Sequence, residues 1–208
     1  MKKSDQEINC VDSVKSRITK HRELNTLTDK DFTTDKKFQN QVIKSISSDS
    51  RRVNPGAAFF AIPGIRTNGD LHIQEALNRG AKVIVSQSDE VSVPLGVTRI
   101  KVADARKSMA KFTKKFYDSP DESLSLIGIT GTNGKTTVST LTRHLLEEPG
   151  CPVGLIGTVQ YNLGDRDVPS FKTTPEATDL YPMLKSMLAA GCSRSVMEIS
   201  SHGSHQVR

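Results

Sequence analysis

From Val42 onward, short apolar runs alternate with stretches whose apolar residues recur every three or four positions. That alternation predicts strands and helices in turn. Ala58–Ile62 reads as a buried strand stopped by Pro63 and Gly64. Asp70–Arg79 reads as a helix with Leu71, Ile73, Ala76 and Leu77 inward and Gly80 ending it. Lys82–Ser86 and Thr98–Val102 read as strands, and Asp104–Tyr117 as a helix with Ala105, Met109, Phe112 and Phe116 on one face. The polar, Pro-containing segment Asp118–Ser123 then separates two periodic regions and places a domain boundary near residue 120. Beyond it, Leu124–Ile129, Val153–Ile156 and Ser195–Ile199 predict strands. Lys135–Leu146, with Val138, Leu141 and Leu145 on one face, predicts a helix, as does Asp179–Ala190, capped by Gly191. Strands joined through helices imply an α/β fold built on parallel sheet. The residues before about 40 are polar and weakly periodic, offering only a helix near Val11–Leu24.

A length of 208 residues fits one large domain or two small ones. The boundary favours two, 1–120 and 121–208. No apolar run approaches the ~18 residues of a membrane span, and the basic start lacks the apolar segment of a secretion signal. A cytoplasmic protein is expected. Cys10, Cys151 and Cys192 are odd in number and far apart, so neither a disulfide framework nor a zinc site is expected. The net charge of +6 is carried before residue 140 and suits an anionic ligand such as a nucleotide. No basic run interleaves with aromatics, which argues against nucleic acid.

The strongest chemistry lies between a predicted strand and a predicted helix, in Gly131-Thr132-Asn133-Gly134-Lys135-Thr136-Thr137. Gly131 and Gly134 allow the backbone to turn tightly and aim several N–H groups into one concavity. The helix that follows adds the positive end of its dipole. Lys135 offers a compact charge for β- and γ-phosphates, and the Thr136 hydroxyl can ligate Mg²⁺. ATP is therefore the expected ligand. The strict G-x-x-x-x-G-K-[ST] spacing is missed by one position, because Ile129 stands where the first glycine belongs and Gly128 precedes it.

Three further clusters carry polar residues in places that need explaining. Glu198 falls in or at the end of an apolar strand, where a carboxylate is costly unless paired or metal-bound. The alternative is an edge position. His202, four residues on, is a ligand for a second metal or a hydrogen-bonded structural histidine, and His205 is structural or exposed. Phe171-Lys-Thr-Thr-Pro175 offers hydroxyls on an extended backbone, or a helix start with Thr174 as N-cap. Ser48–Gly56 and Phe59–Gly69 put polar loops on either side of one strand, suited to an anionic ligand or simply to solvent.

Together these residues resemble the Mur ligase family. The elements that carry the likeness are Asp49-Ser-Arg with Val53 and Pro55-Gly56, the Gly-Thr-Asn-Gly-Lys-Thr-Thr loop, Thr173-Thr-Pro-Glu and Met197-Glu-Ile-Ser-Ser-His. They extend from about Val42 to Arg208, and the family shares the loop's one-residue departure. The likeness is strongest to the branch that adds the third amino acid, diaminopimelate or lysine, to UDP-N-acetylmuramoyl-L-Ala-D-Glu during peptidoglycan precursor synthesis. The sister branch adding D-Ala-D-Ala is the nearest alternative, followed by a non-catalytic module that binds a nucleotide or UDP precursor, and by an unrelated phosphate-loop NTPase.

The resemblance implies a small N-terminal α/β domain for the UDP-substrate, then the first part of a parallel-sheet ATPase domain. It also implies that a C-terminal domain and the later half of the central one lie outside this sequence, so the chain is expected to be inactive alone. ATP would phosphorylate the glutamate carboxylate, and the incoming amine would displace phosphate to form an amide. Lys135 would act on the γ-phosphate, Thr136 and Glu198 would hold the first Mg²⁺, and His202 the second. Ser50, Ile65, Arg66 and Thr67 would meet the uridine end of the substrate. Thr173, Thr174, Ser200, Gln206 and Arg208 would meet its muramoyl-peptide end. Lys172 stands where some relatives have Asn and is not counted as a contact.

Overall fold

The structure is a computed structural model and describes residues 21–28, 33–34, 41–64 and 68–201. Spatial proximity divides it into two compact units, the first ending at Phe116 and the second beginning at Tyr117. The expected helix over Val11–Leu24 lies outside the described residues except for its end. Leu24 there opens a different, four-residue helix.

In the first unit the elements run β1 (Arg22–Glu23), α1 (Leu24–Leu27), β2 (Thr33–Thr34), β3 (Val42–Ile43), β4 (Ser45–Ser47), β5 (Ala57–Phe60), α2 (Ile73–Asn78), β6 (Val83–Ser86), β7 (Thr98–Lys101) and α3 (Ala105–Phe116). Five strands form one sheet in the order β2-β7-β6-β5-β4, parallel from β4 to β7, with β2 antiparallel at the edge. Strands β5 and β6 are buried at every position, as interior strands of a parallel sheet covered on both faces must be. Asp104 starts α3 by accepting the N–H groups of Arg106 and Lys107, each at 3.0 Å. The helix lays Ala105, Met109, Phe112 and Phe116 inward, as their spacing predicts, and Phe112 meets Phe60 edge-on at 5.3 Å.

One predicted helix is shorter than its periodicity. Residues Gly69–His72 form a 3₁₀ turn, and only Ile73–Asn78 are α-helical. Ile73 and Ala76 are buried as expected, but Leu71 is 76% exposed. Local hydrogen bonds override the pattern. Asn68 accepts the N–H of Asp70 at 3.1 Å, and the Asp70 carboxylate accepts the Ser86 hydroxyl at 2.6 Å. The polar side of the turn is thereby fixed to the sheet and Leu71 faces out. Gly80 follows α2 at φ +89, in the left-handed position expected of a helix stop.

The second unit contains β8 (Ser125–Ile129), α4 (Lys135–Leu146), β9 (Val153–Ile156), β10 (Gln160–Asn162), β11 (Asp167–Pro169), α5 (Ala177–Ala189) and β12 (Arg194–Glu198). The strand order is β11-β10-β9-β12-β8. Strand β12, far along the chain, inserts between β8 and β9 and runs parallel to both. The sheet is not wholly parallel, because β10 and β11 extend it as an antiparallel hairpin. Strands of three residues are too short to show a period of two, which hides the hairpin in the sequence. Buried Ile156, Tyr161, Leu163, Met183, Leu184 and Met187 form the core here.

The apolar stripe of α4 is present but does not face the core. Val138, Leu141 and Leu145 are exposed, Leu145 by 82%, and buried Ser139 faces the sheet instead. Periodicity finds the stripe and cannot tell which side the sheet takes. Among the described residues no helix is long and apolar enough to cross a membrane, and Cys151 and Cys192 are free thiols.

Candidate nucleotide site

Strand β8 delivers the chain to the loop at Thr130, and α4 begins at Lys135. The two glycines occupy backbone that other residues rarely adopt: Gly131 at φ +148 and Gly134 at φ +81. Gly134 is the helix N-cap and supplies no side chain to the first-turn N–H groups. Thr132, Asn133 and Thr137 are exposed around this turn. The Lys135 ammonium donates to the carbonyls of Gly131 at 2.8 Å and Thr132 at 3.4 Å.

The register of β12 on β8 pairs Glu198 with Ile129, so the strands release the carboxylate and the loop at the same sheet end. Glu198 is 1% exposed, not an edge residue. Its carboxylate accepts the Thr136 hydroxyl at 3.2 Å, the Ser139 hydroxyl at 3.3 Å, and both the hydroxyl (2.8 Å) and backbone N–H (3.3 Å) of Thr158. All four donors are neutral, and among the described residues no cationic side chain pairs with it. Ser139 and Thr158 carry no motif of their own. Their only sequence signal is polarity beside an apolar run, too weak to single them out.

The hydroxyl loop lies against this centre. Thr173 Oγ1 is 3.0 Å from Thr158 Oγ1. Thr174 is buried, donates to the Glu198 carbonyl at 3.1 Å and accepts the Ser200 N–H at 3.0 Å, so it ties the loop to the end of β12. It is not the N-cap of α5. That position belongs to Glu176, beyond Pro175. Buried Tyr161 holds the same loop by its phenol, which donates to the Lys172 carbonyl and accepts the N–H groups of Lys172 and Phe171. Burial pushes that phenol up, against the pull of its hydrogen bonds with Ser170 and the backbone of Lys172 and Phe171.

The remaining expected residues are not brought to this centre by the described structure. His202, Gln206 and Arg208 lie outside the described residues, as do Ile65, Arg66 and Thr67. Ser50 belongs to the first unit, where it is buried and donates to Glu75 at 2.6 Å. Beside it Asp49 accepts the N–H of Arg51 and pairs with its guanidinium at 2.7 Å. Burial raises the Asp49 carboxyl, but Arg51 and Arg52 together hold it below the usual range.

A strand, a glycine turn with a lysine at the helix start, and an acid on the adjoining parallel strand define the class: a phosphate-loop α/β protein preceded by a second parallel-sheet unit. Two family models match the chain. The Mur ligase family catalytic domain covers residues 42–117 and the Mur ligase middle domain covers residues 129–208. The chain belongs to the Mur ligase family. Over 160 residues it is 44% identical to the UDP-N-acetylmuramoyl-L-alanyl-D-glutamate–2,6-diaminopimelate ligase of Caldanaerobacter subterraneus subsp. tengcongensis, covering 77% of this chain and 33% of that protein. The enzyme of the same name from Clostridium perfringens is 40% identical over 160 residues, with the same coverage. A solved structure of a ligase of that name superposes with a TM-score of 0.72 at 26% identity, over 91% of this chain and 37% of the other. The D-alanyl-D-alanyl-adding ligase of Acinetobacter baumannii shares the fold, with a TM-score of 0.57 at 20% identity. The chain spans about a third of the length of the curated relatives it matches.

Proposed function

We propose that the loop Gly131–Thr137 holds the triphosphate of ATP. We further propose that the protein serves ATP-dependent addition of an amino acid to UDP-N-acetylmuramoyl-L-Ala-D-Glu, in the cytoplasm. The names of the relatives point to 2,6-diaminopimelate as that amino acid. In this reading residues 1–120 serve the UDP-substrate and residues 121–208 serve ATP. One observation carries the nucleotide assignment: a fully buried carboxylate, Glu198, surrounded by neutral donors and hydrogen-bonded to a hydroxyl in the first turn after the glycine loop.

That donor set fits Mg²⁺. Mg²⁺ is usually held by one or two carboxylates together with substrate phosphates and waters. Thr136 and Glu198 would hold the ion, with His202 serving a second one. When bound, Mg²⁺ neutralises phosphate oxygens and favours an in-line geometry.

The chain's own groups supply the rest. The loop N–H groups and the start of α4 fix the β- and γ-phosphates, and Lys135 offsets charge on the γ-phosphoryl group as it moves. The substrate carboxylate oxygen forms the new bond to phosphorus and ADP departs. The incoming amine then bonds the acyl carbon, phosphate departs and the amine gives up a proton. Thr173 and Ser200, both partly exposed, would face the muramoyl-peptide with Gln206 and Arg208, and Thr174 would fix their spacing. Ser50, Ile65, Arg66 and Thr67 would take the uridine end.

Equilibrium binding of ATP to the 208-residue chain, with and without Mg²⁺, tests the assignment. Binding strengthened by Mg²⁺ and lost in Lys135→Ala is expected. No binding at millimolar ATP would remove it.

A further inference from the structure

A glutamate carboxylate at the end of a strand has three free torsions unless neighbours fix it. Among the residues around Glu198, Thr158 alone reaches both carboxylate oxygens: its N–H donates to Oε1 at 3.3 Å and its hydroxyl to Oε2 at 2.8 Å. Thr136 and Ser139 reach one oxygen each. The residue before it makes this grip sterically feasible. A Cβ on Gly157 would stand 2.5 Å from Glu198 Oε1. Gly157 is not among the positive-φ glycines, so space rather than backbone conformation calls for glycine there. Its carbonyl accepts the Ser170 hydroxyl at 2.6 Å, which holds the peptide from the other side.

The proton order follows from valence. A threonine hydroxyl has one hydrogen, and Thr158 gives it to Glu198. The 3.0 Å contact with Thr173 must then be a bond donated by Thr173. The hydrogen bonds run Thr173 to Thr158 to Glu198, linking the hydroxyl loop to the acid beside the phosphate loop.

We propose that Thr158 is a positioning residue for Glu198, its two donors and the side-chain-free Gly157 together setting the angle at which the carboxylate faces Thr136 and a divalent cation. This rests on the nucleotide assignment above. A residue that merely tidies the exit from β9 would affect stability alone, whereas a positioning residue alters how the site responds to metal.

The test uses the full chain and a fluorescent ATP analogue, titrated at fixed nucleotide with Mg²⁺. Loss of an outer partner of a metal-binding acid typically weakens metal affinity by about 10–100-fold. Thr158→Val, which keeps the shape and drops the hydroxyl, should raise half-saturating Mg²⁺ at least about tenfold while metal-free nucleotide affinity stays within about twofold. Thr158→Ser, which keeps the hydroxyl, should restore the wild-type midpoint, and Gly157→Ala should move it as Thr158→Val does. Thr158→Ala replaces the valine variant if that one melts below the assay temperature. An unchanged Mg²⁺ midpoint in the hydroxyl-less variants, or equal weakening with and without metal, overturns the positioning role and leaves the nucleotide assignment standing. A wild-type chain whose nucleotide binding ignores Mg²⁺ overturns both.

Discussion

Lys135 donates to the carbonyl oxygen of Gly131, four residues back, at 2.8 Å. The cation of the loop is therefore held by the turn it belongs to, through a neutral acceptor. A phosphate oxygen carries a negative charge that the carbonyl lacks and attracts the ammonium more strongly, so the exchange favours the nucleotide. Lys135→Ala should weaken ATP binding at least about tenfold, or ~1.4 kcal/mol. The melting temperature without ligand should hardly move, since only two exposed bonds to carbonyls are lost. Calorimetric titration beside a thermal melt checks both halves, and a large fall in melting temperature would make Lys135 a structural residue.

Glu198 offers the opposite contrast. Its carboxylate is buried against neutral donors only. Glu198→Gln removes the charge, and with the amide nitrogen at the Oε2 position the Thr136 and Thr158 hydroxyls can rotate to accept from it. The variant should melt no lower than the wild type and should lose the Mg²⁺ dependence of ATP binding. A drop of several degrees would mean that the carboxylate serves packing rather than a ligand.

Two glycines separate rigid from yielding neighbours. A Cβ on Gly69 would lie 2.5 Å from the Ile62 nitrogen and 2.7 Å from the Ala61 carbonyl carbon, both backbone. Gly69→Ala should destabilise by ~1–3 kcal/mol or more, as overpacking does. At Gly154 the obstacle is the Met187 sulfur at 2.5 Å, on a side chain that can turn away. Gly154→Ala should therefore cost less than Gly69→Ala in urea denaturation, and the reverse order would contradict these contacts.

Alkali should loosen the second unit. Burial raises the Tyr117 phenol, with the nearby Asp179 carboxylate adding to it, and burial raises that of Tyr161. A group whose folded pKa is raised lends stability below its unfolded value, here about 10, and that contribution is lost as pH rises through the folded values. Urea midpoints should fall between about pH 9 and about pH 12. The phenolate absorbance of these two among the three tyrosines should rise only with unfolding. Smooth titration of all three in the folded state would refute the burial.

Val138, Leu141 and Leu145 form an exposed apolar row on α4. Such rows promote association in water. Replacing Leu141 and Leu145 by Lys should change stability by no more than ~0.5 kcal/mol each and reduce concentration-dependent light scattering. A stability loss several times larger would show that the row is covered.

The sequence disclosed what local chemistry encodes. Gly131, Gly134 and Lys135 stood out because a tight turn before a helix needs those residue types, and the α/β class followed from alternating periods. The hairpin β10–β11 stayed hidden because Tyr161 and Val168 are each the single buried apolar residue of a three-residue strand. Leu71 and the α4 stripe misled because periodicity ranks faces by hydrophobicity, while Ser86 and Glu198 decide which face the sheet accepts. Thr158 was illegible because its role depends on a carboxylate 40 residues away.

Thr136 and Glu198 stand 62 residues apart in the chain, and the strand bearing the acid enters between two made earlier. A chain leaving the ribosome thus carries the complete glycine loop well before it has a metal centre. Closing so long a span comes late, because its entropy must be overcome before any contact repays it. Mg²⁺-dependent nucleotide binding would then count only molecules that have threaded their middle strand, making the ligand a reporter of finished topology.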